Sequence, residues 1–220
     1  MKNRLYLSFE CFLLFGLIPG WLIHLQMQGG FPFFAILTAM LLLTLVLAAL
    51  DPQIRFRFPF NRKATCQLLP KLAERLLLAA LALTLLTWWL YPSLLFRFPR
   101  EQPRIWFMVM CLYPLLSVAP QEFIFRSFFM QRYLPLFGQG QAMLWVNALV
   151  FGWAHAFFLN AAAPLLSVAA GYLLAKTWQQ SKGFLLVSLE HAVYGQIVFT
   201  CGLGWFFYNG TARAIAESMP

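Results

Sequence analysis

The sequence predicts an all-α protein, a polytopic transmembrane bundle of about seven helices. Three observations carry this. Of the 220 residues, 61% are hydrophobic and only 10% charged, against about 25% charged in a soluble domain. The mean hydropathy is +0.71. The apolar residues also fall in runs near the roughly 20 residues that cross a bilayer. A water-soluble domain of this length could not bury so much apolar surface, so the solvent is lipid. The same figures exclude a disordered chain, a fibrous repeat and an ordinary cytosolic enzyme.

The predicted spans are residues 5–26, 31–50, 74–96, 105–133, 141–159, 162–178 and 184–208, the fourth broken near Pro120. The sixth is short, so six or eight passes are also compatible. Lys2 and Arg4 precede the first run, which lacks a small-x-small cleavage site and reads as an uncleaved span. With no repeat and no low-complexity linker, residues 1–220 form one domain with a motif-bearing core at 105–208.

The formal net charge is +9, spread between apolar runs rather than gathered on one face. That pattern argues for a bilayer partner and against nucleic acid. The polar break at 51–73, with Arg55, Arg57, Arg62, Lys63 and Lys71, reads as a loop on anionic headgroups. With the N-terminus inside, 12 basic residues lie on the inner side and 4 on the outer side: Arg97, Arg100, Arg104 and Arg213. The expected setting is a bacterial cytoplasmic membrane. Cys11, Cys66, Cys111 and Cys201 form no C-x-x-C pair and read as small apolar residues.

Ionisable side chains inside hydrocarbon are costly and mark function. Glu122, Glu190, His155 and His191 are placed deep, whereas His24 lies at the end of the first span. Glu122 and Arg126 are four apart on one helical face, as are Phe151 and His155. Glu190 and His191 point about 100° apart, so one serves a site and the other supports it. Measured from the basic ends, Glu122, His155 and His191 lie roughly 15, 21 and 14 Å deep at 1.5 Å per residue. They are expected to line one cavity in the inner half of the membrane. A buried carboxylate with two imidazoles can activate water as base and charge stabiliser. The same three can also bind zinc. No cofactor is required by the first route, and no H-E-x-x-H helix supports the second.

These residues resemble the CPBP family of CAAX prenyl proteases and bacteriocin-processing proteins, also called Abi. Gln121-Glu122-x-x-x-Arg126 is similar to its E-E-x-x-x-R motif, Phe151-x-x-x-His155 to F-x-x-x-H, and His191 to its third histidine. The resemblance implies an intramembrane endopeptidase acting on a membrane-associated protein or peptide. It assigns Glu122 as base or water-holder, Arg126 as its charge partner, His155 as water partner and His191 as oxyanion stabiliser. Two positions depart from the motifs: Gln121 replaces the first glutamate, and Gly195 the third-motif Asn or Asp. For the first, Glu122 taking over as base, helped by distortion at Pro120, is the favoured reading. Glu190 as base, or loss of hydrolysis, are the others. For the second, the Gln196 amide can donate in place of the missing side chain. The competing functions are a catalytically silent scaffold or immunity protein and a small Glu/His proton-coupled transporter.

Overall fold

The computed structural model describes residues 3–30, 32–54 and 62–207. Seven helical rods account for most of them. They are α1 (Arg4–Gly29), α2 (Phe33–Ala49), α3 (Arg62–Leu90), α4 (Pro103–Arg132), α5 (Gln141–His155), α6 (Ala162–Ser181) and α7 (Phe184–Cys201). Short helical turns join them, and no strand occurs among the described residues. The predicted all-α membrane bundle is therefore observed. By length and composition α1, α4 and α7 can each cross a bilayer, and α2 is a shorter apolar helix.

The rods turn apolar side chains outward and polar ones inward. Leu77, Leu81, Trp88, Trp89 and Leu165 are exposed, while Glu122, Arg126, Asn147 and Glu190 are buried. A soluble bundle shows the reverse, and lipid-facing leucine removes any need for a polar coat. Close approach in the interior depends on glycine. At Gly171 on α6, an added Cβ would lie 3.1 Å from the Ala148 Cα and from the Phe151 ring of α5. Small residues at such crossings let membrane helices pack backbone to backbone.

Two expectations are corrected here. The 51–73 segment is not a loop throughout: α3 begins at Arg62 and passes through Pro70. Its first turns are held by Leu68 and Leu72 packing on Leu186 of α7; Arg55 and Arg57 lie outside the described residues. Nor is α4 broken at Pro120. Instead, π-helical turns at Pro114–Val118 and Phe123–Phe128 flank it. Such wide turns release carbonyls from the helical ladder and commonly mark functional sites. The carbonyls released here are used: Phe125 O accepts from Asn147 Nδ2 at 2.7 Å.

The end of the bundle that carries most of the basic residues is tied by a buried cluster. Arg132 donates to both Glu10 oxygens at 2.8 and 2.6 Å and to Asp51 at 2.7 Å. Tyr133 adds a bond to Glu10 at 3.1 Å. The cluster joins α1, α4 and the turn after α2. Removing one member of a buried ion pair leaves an uncompensated charge. Arg132→Ala is therefore expected to destabilise the protein by about 3–5 kcal/mol, read from unfolding in mixed detergent.

Candidate active site

Proline chemistry shapes the site from α4. Pro114 has no N–H, so the carbonyl of Met110 one turn earlier has no helical partner. It receives the Gln196 amide instead, at 3.0 Å. The Gln196 donor, expected as a helper at the site, is engaged here in locking α7 to α4, and its side chain does not line the cavity.

Glu122 is fully buried and enclosed. Its Oε1 meets Arg126 Nη1 at 3.0 Å and His191 Nδ1 at 2.7 Å. The guanidinium in turn lies 4.3 Å from the centre of the Phe151 ring. The Glu122–Arg126 face expected from spacing is present. Glu122 does not line the cavity, and its Oε2 is buried with no hydrogen-bond partner among the described residues. The distortion around Pro120 is real but turns Glu122 toward α7, behind His191.

Gln121 is the residue that reaches the cavity. Its Nε2 donates to Ser117 Oγ at 2.8 Å. Its Oε1 is buried and has no hydrogen-bond partner among the described residues. His155 sits at the last turn of α5, and its Nδ1 lies 2.7 Å from the Phe151 carbonyl. A carbonyl only accepts, so this contact assigns the proton to Nδ1 and leaves a lone pair on Nε2. By the same logic His191 donates from Nδ1 to Glu122 and turns Nε2 toward the Tyr113 hydroxyl, 3.3 Å away.

Gln121, His155 and His191 all line a cavity of about 640 Å³ whose wall is otherwise largely apolar. Its lining includes Phe33 and Phe34 at the start of α2, Met108 near the start of α4 and Leu166 near the start of α6. The cavity thus runs from mid-bundle toward the end opposite the cluster of Arg132. It does not occupy the basic, inner half expected from counting depth. A smaller apolar cavity of about 90 Å³ shares Gln121 and His155 on its wall.

Glu190, the neighbour of His191, points elsewhere. It pairs with Arg75 at 3.3 Å, and Arg75 also reaches Thr177 at 3.0 Å. Glu190 therefore supports the packing of α3, α6 and α7. The candidate zinc set of Glu122, His155 and His191 does not form a cage. Among the described residues no three His, Cys, Asp or Glu side chains are grouped to hold a metal. His191 and Glu122 also face each other as hydrogen-bond partners. Sequence reasoning missed Tyr113, whose only signal was a hydroxyl within an apolar run.

The helical fold and its long apolar helices are those of an integral membrane protein. Residues 102–208 match the family model described as "Type II CAAX prenyl endopeptidase Rce1-like". The resemblance read from the three motifs falls within this matched stretch, from α4 through α7. No curated protein and no solved structure gave a significant match.

Proposed function

We propose that the protein is an intramembrane endopeptidase that hydrolyses a peptide bond of a membrane-associated protein. The observation that carries this reading is the His155 imidazole. Its Nδ1 is engaged by Phe151 O, and the ring lines the same cavity as Gln121 and His191. Gln121 Oε1 accepts one O–H of a water and orients it, and His155 Nε2 takes the other proton. The water oxygen bonds to the carbonyl carbon, and the carbonyl π pair moves onto its oxygen, toward the wall that His191 anchors. On collapse that pair returns, the C–N bond breaks and the His155 proton passes to the leaving nitrogen. Glu122 and Arg126 act behind this step. Glu122 fixes the tautomer and aim of His191, and Arg126 compensates its charge. The apolar wall suits the apolar flank or lipid chain of such a substrate.

A second reading has its own support. Gln121 cannot take a proton, which favours a silent receptor that binds the same ligands without cleaving them. Purified protein in proteoliposomes, incubated with membrane-anchored peptides and followed by mass spectrometry, separates the two. Wild-type products that disappear in His155→Ala support the peptidase. Saturable binding without products supports the receptor.

A further inference from the structure

The mechanism leaves one requirement open, the donor that meets the carbonyl oxygen as it gains charge. His191 is poorly placed to be that donor. Its Nδ1 proton is engaged by Glu122 at 2.7 Å, so in the neutral ring Nε2 carries no hydrogen. Gln196 is bound to Met110 O. Three other hydroxyls line this wall, those of Ser117, Ser167 and Tyr194; Ser117 already accepts from Gln121 and Tyr194 is directed to Glu190, and the hydroxyl beside His191 is that of Tyr113. It lines the cavity and rests 3.3 Å from His191 Nε2, a long contact that costs little to exchange.

The seat of Tyr113 depends on Gly195. A Cβ built there would overlap the Cε1, Cζ and hydroxyl oxygen of Tyr113. Gly195 lies one helical turn after His191, on the same face of α7. A side chain at 195 and a phenol at 113 thus compete for one place beside His191. Phe199 braces the ring from the far side, edge to face at 5.2 Å between centroids.

We propose that Tyr113 is the catalytic hydrogen-bond donor to the oxyanion and that glycine at 195 is the vacancy that admits it. His191, held by Glu122, parks the hydroxyl. The O–H turns from Nε2 to the substrate oxygen as negative charge develops there. The donor keeps its proton throughout. This inference rests on the endopeptidase reading, but its test does not depend on turnover.

The probe is a membrane-soluble peptidyl phosphonate, a stable mimic of the tetrahedral oxyanion, with the matching peptide amide as ground-state control. Both are titrated into nanodisc-embedded protein by tryptophan fluorescence. Tyr113→Phe keeps the ring and removes the hydroxyl. It is expected to weaken phosphonate binding about 100-fold, the scale of one oxyanion donor, with amide binding unchanged within about threefold. Gly195→Ala is expected to weaken phosphonate binding at least about tenfold, and to add nothing in a Tyr113→Phe background. Equal phosphonate affinity in wild type and Tyr113→Phe would overturn the proposal. If no peptide is cleaved but the phosphonate discrimination holds, the endopeptidase reading fails and the donor assignment stands. If peptides are cleaved and Tyr113→Phe keeps its kcat, the donor assignment fails alone.

Discussion

Gln121→Glu is expected to raise the rate of peptide cleavage by about 10²–10⁴-fold, the range of a positioned general base. Gln121 shares the cavity wall with His155, and its Oε1 has no partner among the described residues. An amide there can orient water but cannot accept its proton. A carboxylate does both in the same volume. The neighbouring Ser117 hydroxyl now accepts from Nε2 and can rotate to donate to a carboxylate, so the exchange strands no polar group. The check is single-turnover cleavage as a function of pH. The glutamate variant should show an ionisation on the acidic limb that the wild type lacks. An unchanged rate and profile would mean that position 121 is remote from the reacting atoms.

Arg126→Met is expected to destabilise the protein by about 3–5 kcal/mol, because it abandons a charged Glu122 inside the bundle. Arg126 and Glu122 are both fully buried and meet at 3.0 Å. The double variant Glu122→Gln/Arg126→Met removes the charge with its partner and should recover most of that stability. It should not recover activity. A glutamine at 122 can present either its carbonyl oxygen or its amide N–H to His191 Nδ1, so the tautomer is no longer dictated. A loss of at least about tenfold in kcat is expected. Thermal unfolding and cleavage measured on the same preparations separate the two effects. Recovery of both together would reduce Glu122 to a packing role.

The fold was legible because lipid imposes a simple rule: apolar runs of spanning length become helices. Its errors fall where that rule is silent. Arg62, Lys63 and Pro70 break the apolar pattern of α3, yet Leu68 and Leu72 hold its first turns on Leu186. In the site, local spacing worked and long-range pairing did not. Glu122 with Arg126, four residues apart, could be read directly. The Tyr113–His191 contact joins residues 78 apart and has no periodic signature. The Gln196–Met110 bond had a signal in the sequence that is weak on its own, since Pro114 leaves a carbonyl that needs a donor. Which of Gln121 and Glu122 lines the cavity depends on helical phase. Two π-helical turns shift that phase, and no composition rule fixes where they fall.

Similarity to CAAX prenyl endopeptidases over residues 102–208 points to a class of chemistry, and in the proposed mechanism Gln121 orients the water. The most direct test is therefore which of the two adjacent side chains faces water. Single cysteines at positions 121 and 122, in a background with Cys11, Cys66, Cys111 and Cys201 replaced, can be titrated with a charged methanethiosulfonate reagent in nanodiscs. The cysteine at 121 should react readily and be protected by the peptidyl phosphonate, while that at 122 stays unmodified in the folded protein. Rapid, ligand-protected modification at 122 with none at 121 would contradict the account.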